Sequence, residues 1–255
     1  MNNNLDNQVV EHPGGHPFYG YRLGILMLDM KAPLLPGNVG NAMSYDFPVR
    51  YKVLEDVPSS WFCDTQGPDK ARCEVVIKAA KELEAEGCKA ITAGCGFFSV
   101  YQKEVAEAVN IPVFLSPLIM VPMLSRMLGT SSRIGIVTAD SSSLKGSYLD
   151  SVGIDESIKT AVAGLEDTKE FYNVHVTCDK KSVNPQAMEK EVVEASVKLV
   201  EENPDIKLLV FECSDIPPFA RAASRATGLP VFDYITLARM VGQSIIPIEY
   251  PEFFG

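Results

Sequence analysis

The chain carries an internal repeat, and this repeat constrains its fold more than any other feature of the sequence. Segment 22–29 reads RLGILMLD and segment 133–140 reads RIGIVTAD, so each is an apolar run that ends at an aspartate. A second pair consists of KAITAGC at 89–95 and KLLVFEC at 207–213, in which a lysine opens the run and a cysteine closes it. Short apolar runs of this kind are typical of buried parallel strands.

Two further pairs of segments strengthen the repeat. Sixteen residues after each cysteine comes a matching phrase, IPVF from Ile111 and LPVF from Leu229. Before each cysteine run lies an amphipathic helical pattern, which begins with EVV at Glu74 in one half and at Glu191 in the other. Parallel α/β units resemble one another because they share the same physics, and that alone would explain the strands and helices. It would not explain why both halves place an aspartate and a cysteine at equivalent strand ends.

Strands that alternate with helices predict an α/β fold with two parallel-sheet lobes related by a pseudo-twofold axis. We expect a polar tail at 1–20, an N-terminal α/β lobe at 21–129 and a C-terminal α/β lobe at 130–255. The loop 31–48 is long enough to be a lid or a binding loop. The predicted strands are 22–29, 49–54, 89–95, 112–115, 133–138, 174–177, 207–212 and 230–232. The predicted helices are 69–87, 99–109, 117–128, 141–152, 186–203, 217–227 and 235–245.

Charge and composition exclude several function classes. The net charge of −10 and the lack of any lysine- or arginine-rich block argue against binding to nucleic acid or to an anionic membrane. No apolar run approaches the ~20 residues of a membrane span. The first residues lack the cationic and apolar regions of a secretion signal, so we expect a cytoplasmic protein whose six cysteines stay reduced. These cysteines form no CxxC pair and show no zinc-ligand spacing, so no metal site is predicted.

Four chemistry-bearing residues close predicted strands: Asp29, Cys95, Asp140 and Cys213. Ligands of open parallel sheets bind outside the carboxyl ends of the strands. A pseudo-twofold axis that joins these edges would place Cys95 and Cys213 on opposite walls of one cleft. A lone cysteine is more commonly a small buried apolar residue. The cysteines expected to play that role are Cys63, Cys73, Cys88 and Cys178.

Each strand-end cysteine also precedes a predicted helix, with Ser99 as the candidate N-cap after Cys95 and Ser214 or Asp215 after Cys213. A helix N-terminus favours thiolate over thiol and offers N–H donors to a carboxylate. One thiolate could then remove a proton from a carbon atom while the opposite thiol delivers a proton to the other face.

Three motifs resemble the aspartate/glutamate/hydantoin racemase superfamily: AGCGFFS around Cys95, FECSDIPPF around Cys213, and GILMLD, which ends at Asp29. The resemblance extends over nearly the whole chain. It implies two flavodoxin-like lobes, with one cysteine from each as the acid–base pair and no PLP, metal or other cofactor. It further implies that Cys95 and Cys213 are catalytic and that Asp29 assists them.

The residues beside the two thiols differ from those of the amino-acid racemases. Those enzymes follow the first cysteine with Asn-Thr and the second with Thr-His, where this chain has Gly96-Phe97 and Ser214-Asp215. We take these four residues as candidate substrate-binding residues, together with Ser141, which could equally cap a helix. A glycine and a phenylalanine beside the first thiol indicate a more apolar pocket, and this argues against glutamate and aspartate as substrates.

Three functions remain open from the sequence. The first is a racemase or epimerase that uses two cysteines to invert a carbon next to a carboxylate or amide carbonyl. The second is a maleate-type cis–trans isomerase or a lyase with one nucleophilic cysteine. The third is a non-catalytic relative that binds a small acid. The expected partner is a small-molecule carboxylate or cyclic amide; a homo-oligomer is an open option, and neither nucleic acid nor a membrane is expected.

Overall fold

The computed structural model of the protein describes residues 15, 17–55, 57, 69–144 and 146–246. Its first sheet is parallel, with the order β2-β1-β3-β4. Its second sheet is also parallel, with the order β6-β5-β7-β8. The eight strands are β1 (Leu23–Leu28), β2 (Val49–Leu54), β3 (Ala90–Ala93), β4 (Val113–Phe114), β5 (Arg133–Thr138), β6 (Thr160–Gly164), β7 (Ile206–Phe211) and β8 (Val231–Phe232).

Seven α-helices connect and cover these strands within the described ranges. They are α1 (Lys70–Ala85), α2 (Gln102–Ala108), α3 (Val121–Ser125), α4 (Gly146–Asp150), α5 (Pro185–Glu202), α6 (Ala220–Thr227) and α7 (Tyr234–Ile245). Short 3-10 turns are present at Ala42–Ser44, Gly96–Tyr101, Pro117–Met120 and Pro217–Phe219, and a π-helix at Tyr172–Val176. The longer helices begin at side-chain caps, since Asp69, Asn184 and Asp233 each accept a hydrogen bond from the backbone N–H three residues later.

The identical strand order confirms the prediction of two similar α/β lobes related by a pseudo-twofold axis. The two halves also exchange their last helices. The helix α7 of the second half packs against β3 of the first, while α3 of the first half packs against β5 of the second. The buried hydroxyl of Tyr234 in α7 donates to the carbonyl of Leu115 over 2.7 Å. These contacts pack the two halves of the chain against each other.

The apolar core follows the same plan. The strands β1, β3, β5 and β7 are almost completely buried, as expected for central strands covered on both faces. One large cluster combines side chains of both halves, such as Leu26 and Ile91 with Ile136 and Val210. A smaller cluster lies beneath α5 and α6 in the second half. Because the larger cluster crosses between the lobes, they form a continuous interface.

One predicted strand is wrong. Residues 174–177 were expected to be a strand, but Tyr172–Val176 forms the π-helix, and the edge strand of the second sheet is Thr160–Gly164. The true strand reads TAVAG and is half-buried, so it lacks the strong apolar run that marks the central strands. The alternation of apolar and polar residues in VHVT resembles a half-buried strand, and this misled the prediction.

The ends of the helices also differ from the prediction in places. The helix expected at 141–152 is confined to Gly146–Asp150, and that expected at 99–109 begins as a 3-10 turn. The expected polar tail at 1–20 lies mostly outside the described residues, and the boundary at 129–130 stays a prediction. None of the helices in the described ranges combines the length and the apolar character required to cross a lipid bilayer.

Candidate active site

The residues predicted to close strands lie at the carboxyl edges of the two sheets. Cys95 follows β3 by two residues, and Cys213 follows β7 by two residues. Asp29 directly follows β1, which pairs with β3, so Asp29 and Cys95 share one sheet edge. The two thiols are near enough that Cys95 contributes to raising the pKa of Cys213. The fold therefore brings the carboxyl edges of both halves together at the two cysteines.

The thiol of Cys213 lies in an acidic and buried environment. Its Sγ donates a hydrogen bond to Oδ2 of Asp215 over 3.6 Å. Burial is the main cause that raises the pKa of this thiol well above its usual value, and the negative charges of Asp215 and Glu212 raise it further. Cys213 is thus held as the neutral thiol. Cys95 is less deeply buried.

The Asp215 carboxylate has partners from both halves of the chain. Its Oδ1 accepts a hydrogen bond from the side-chain amide of Asn38 over 2.5 Å. The same oxygen lies 3.4 Å from Nδ1 of His175, whose side chain is 4% exposed. That pair is close enough for an ionic contact but not aligned for a hydrogen bond, since Nδ1 has no hydrogen-bond partner among the described residues. Asp215 thus connects the Cys213 thiol to a loop and to a buried imidazole.

The long loop between β1 and β2 is docked against the second half. The backbone N–H of Val39 donates to the carbonyl of Ser214 over 3.5 Å. At Gly37 the φ is +101°, and an added Cβ would lie 2.9 Å from Cα of Pro218. Only glycine combines that backbone conformation with so close an approach. The loop 31–48, expected to be a lid or a binding loop, thus packs against the residues that follow Cys213.

The candidate substrate-binding residues have structural partners of their own. Ser214 donates to the carbonyl of Gly94 over 2.8 Å, which ties the two cysteine loops together. Phe97 is buried, and its ring packs against Tyr148 with the ring centroids 4.9 Å apart. Gly96 lies against the Glu212 carboxyl, so a side chain there would collide with it. These contacts assemble the walls of the site from both halves.

Two predicted helix caps are wrong. Cys95 itself is the N-cap residue of Gly96–Tyr101, while Ser99 lies inside that turn and donates to the carbonyl of Tyr148 over 3.1 Å. After Cys213, the 3-10 turn Pro217–Phe219 has Ile216 at its N-cap position, without a side-chain hydrogen bond. The turn therefore begins at Pro217 as predicted, but neither Ser214 nor Asp215 caps it.

Asp29 and Ser141 both lie at sheet edges with other polar groups. Asp29 is exposed and forms an ion pair with Lys31. Ser141 donates from its backbone N–H to Glu166 over 3.1 Å, and its hydroxyl hydrogen bonds to the same carboxylate. Hydrogen bonds to Asp140 come instead from Ser142 and Ser143.

Sequence reasoning missed four residues beside the thiols: Asn38, His175, Glu212 and Tyr234. Glu212 could have been found, because a carboxylate inside the buried strand-end motif FEC is unusual. His175 could not, because its segment was assigned to a strand. Across the described ranges, no group of three or more His, Cys, Asp or Glu side chains is arranged to hold a metal ion.

The chain matches the model of a known protein family and is similar in sequence to characterised proteins. The model of the Asp/Glu/hydantoin racemase family matches residues 54–239. The chain is 34% identical over 228 residues to a dimethylsulfoniopropionate lyase of Durusdinium sp. clade D, covering 85% of this chain and 72% of that protein. Dimethylsulfoniopropionate lyase 7 of Emiliania huxleyi is 30% identical, over 84% of this chain and 64% of its own length.

Solved structures share the fold at low sequence identity. The Gly-to-Cys variant of an arylmalonate decarboxylase superimposes with a TM-score of 0.61 at 16% identity, over 90% of this chain and 96% of that one. The allantoin racemase of Klebsiella pneumoniae gives a TM-score of 0.59 at 15% identity, over 88% and 87% of the two chains. At such identities the likeness establishes the two-lobe fold.

Proposed function

The chain belongs to the Asp/Glu/hydantoin racemase family, and on that basis we propose that it is a cofactor-independent lyase acting on a small carboxylate with a cationic leaving group. Dimethylsulfoniopropionate is the substrate to test first, because curated lyases of that compound share up to 34% identity with this chain. Racemases and such a lyase share their first step, which is removal of a proton from the carbon beside a carboxylate.

The proposed reaction is a β-elimination. A thiolate takes the proton from the carbon next to the carboxylate, and the electron pair of that C–H bond forms a double bond to the neighbouring carbon. The bond from that carbon to sulfur breaks, and its electron pair leaves with the sulfur. The sulfonium becomes neutral dimethyl sulfide, the remainder becomes acrylate, and the thiol then returns its proton to water.

The observation that carries this proposal is the difference between the two thiols: Cys213 is buried and donates a hydrogen bond to Asp215, whereas Cys95 is less deeply buried. Cys213 is held as a neutral thiol by burial and by Asp215 and Glu212. A racemase needs each thiol to serve as the base in one direction, whereas an elimination needs a single base. We therefore assign Cys95 as the base, with Asp29 assisting from the adjacent strand end, and Cys213 as a hydrogen-bond donor in its thiol form.

The charge of the site supports a zwitterionic substrate. The groups that act on Cys213 include the carboxyls of Asp215 and Glu212, and they would repel a second carboxylate of a substrate such as glutamate. The same groups would attract a sulfonium or another cation. A substrate with one carboxylate and one positive charge fits this arrangement better than a dicarboxylate.

A second candidate function is the racemase or epimerase. It is favoured by the repeat itself, which places one cysteine at the same position in each half of the molecule. If both thiols exchange protons with the substrate, the chain would invert a carbon beside a carboxylate or an amide carbonyl.

The deciding experiment supplies dimethylsulfoniopropionate to the purified chain and measures acrylate and dimethyl sulfide. The same protein is incubated in D₂O with enantiopure hydantoins and 2-substituted carboxylates. For a lyase, Cys95→Ser should lower product formation by about 10²–10⁴-fold, the range expected for loss of a general base. Cys213→Ser should have a smaller effect, because a hydroxyl still donates a hydrogen bond.

The alternatives give different results. Solvent deuterium at a stereocentre that both Cys95→Ser and Cys213→Ser abolish, without acrylate from the sulfonium compound, would replace the lyase with the racemase. Binding of a small acid without turnover of any substrate would leave a non-catalytic binding protein.

A further inference from the structure

The Glu212 carboxyl lies buried directly before Cys213, at the end of β7. Its side chain is among the buried polar groups, with 2% of the residue exposed. Oε2 accepts a hydrogen bond from the hydroxyl of Thr138 over 2.7 Å, and the backbone N–H donates to the carbonyl of Val137 over 2.9 Å. Oε1 has no hydrogen-bond partner among the described residues. A buried carboxyl oxygen without a partner is destabilising, so its presence here calls for an explanation.

Gly96 provides the space for this carboxyl. A Cβ added at Gly96 would lie 1.8 Å from Oε1 of Glu212 and 2.5 Å from its backbone carbonyl oxygen. Gly96 directly follows Cys95, so Glu212 contacts the cysteine loop of the first half while it belongs to that of the second. Gly96, which the sequence predicted to bind substrate, must therefore be a glycine because the buried carboxyl of Glu212 occupies the space beside it.

The groups around Glu212 come from four parts of the fold, and the imidazole of His175 lies beyond them, 3.4 Å from Oδ1 of Asp215. Thr138 approaches from β5, and Asp215 lies on the loop after β7 with Cys213. The thiol of Cys95, on the loop after β3, and the phenol of Tyr234, in α7, complete the cluster. Burial, opposed by the Thr138 hydrogen bond and reinforced by Asp215, raises the pKa of Glu212 to about 7. Glu212 in turn raises the pKa of Cys213.

We infer that Glu212 is a positioning residue for the neighbouring Cys213: once ionised, the buried carboxylate at the end of β7 opposes a second negative charge on the Cys213 thiol. The benefit to catalysis rests on the proposed function, in which Cys213 acts as a thiol. The coupling between the two groups is a property of the fold and can be measured without any substrate.

The test is the pH dependence of alkylation at Cys213. Wild type and Glu212→Gln are treated with iodoacetamide between about pH 6 and pH 10, and modification of each cysteine is followed by mass spectrometry, since only the thiolate reacts. Glutamine keeps the shape of the side chain and can still accept from Thr138. We expect Cys213 in the variant to react on the order of tenfold faster at a fixed pH, because loss of the Glu212 charge favours the thiolate.

Two controls make the result specific. Glu82→Gln removes a carboxylate of α1 that forms an ion pair with Lys52 of β2, and it should leave the profile of Cys213 unchanged. Thr138→Val keeps the shape of the side chain but removes the hydrogen bond that favours ionised Glu212. Like Glu212→Gln, it should accelerate alkylation of Cys213, although Glu212 and Gly96 are both still present.

A profile for Cys213 that is identical in wild type, Glu212→Gln and Thr138→Val would overturn the inference. If Glu212→Gln fails to fold, Thr138→Val alone still decides it. A wild type that eliminates no substrate, combined with the expected alkylation shifts, would refute the proposed function and leave the coupling in place. Normal elimination with unshifted alkylation would refute the coupling between Glu212 and Cys213 and leave the proposed function in place.

Discussion

Asn38 donates a hydrogen bond to Asp215 over 2.5 Å, and the two residues are separated by 177 positions in the sequence. Asn38 belongs to the loop after β1 of the first half, while Asp215 faces the Cys213 thiol of the second. Asn38 is buried and the side chain of Asp215 is 14% exposed, so solvent competes little with this hydrogen bond. The long loop of one lobe thus completes the cysteine site of the other.

Replacing Asn38 by alanine should weaken both the site and the fold. The Asp215 carboxylate would lose a donor in a buried place, and such a loss costs about 1–3 kcal/mol of stability. We expect a lower free energy of unfolding in urea and a reduced rate of substrate turnover. Met43→Ala, on the same loop but with a residue that is 80% exposed, is the matched control and should change neither quantity. Equal effects of the two changes would mean that the loop matters only as a whole.

The stability of the protein should fall as the pH rises from about 4.5 to about 7, because of Glu212. Burial raises the pKa of this carboxyl from 4.5 to about 7, so the folded state holds a proton that the unfolded chain releases. This stabilisation by the protonated Glu212 is complete below pH 4.5 and is lost as the pH rises through about 7. The change corresponds to about 3 kcal/mol, at about 1.4 kcal/mol per pKa unit.

Urea unfolding of wild type and Glu212→Gln at a series of pH values measures this contribution. The difference in unfolding free energy between the two proteins should change across that interval in favour of the glutamine variant at the higher pH. Parallel curves would show that Glu212 does not bind a proton preferentially in the folded state.

Gly96→Ala should be strongly coupled to Glu212. The added methyl would lie 1.8 Å from Oε1 of Glu212, so the carboxyl or the backbone must move. Overpacking of this kind costs typically 1–3 kcal/mol. In the double variant Gly96→Ala/Glu212→Ala the carboxyl is gone, while the backbone carbonyl of residue 212 still lies 2.5 Å from the added Cβ. We therefore expect the second substitution to recover part of that loss. A double-mutant cycle of unfolding free energies checks this, and strict additivity would contradict the close contact.

Much of the fold was predictable because the internal repeat carries it. Central strands such as Arg133–Thr138 and Ile206–Phe211 are apolar on both faces, so they are visible in a single sequence. The edge strand Thr160–Gly164 is half-buried and contains small residues, and therefore it gives no such signal. The prediction failed where burial, and with it the sequence pattern, was weakest.

The residues of the candidate site also divide into those that the sequence predicted and those that it did not. The positions of Cys95 and Cys213 were predictable because strand ends of parallel sheets converge at one edge. Asn38 and His175 were not, since one lies in an irregular loop and the other in a π-helix, and only tertiary packing brings them to Asp215. Gly96 was singled out, but the cause of a glycine at this position was not predictable, because that cause is the buried carboxyl of Glu212 in the other half.

The Asp215→Asn variant separates the effects of the two carboxylates on the cysteines. Asp215 raises the pKa of both Cys213 and Cys178, although burial is the main cause at each. Glu212 acts on Cys213, and at Cys178 the other contributing charges are Lys181 and Asp179.

Removal of the Asp215 charge should therefore accelerate alkylation of both thiols, whereas Glu212→Gln should accelerate that of Cys213 and leave Cys178 unchanged. Mass spectrometry of iodoacetamide-treated protein at a fixed pH gives both rates in one experiment. The Cys178 thiol, which contacts the carbonyl of His175, also reports whether either substitution disturbs the π-helix. A change at Cys178 in Glu212→Gln would show that the substitution acts through the backbone, because the charge of Glu212 has no part in the pKa of that thiol.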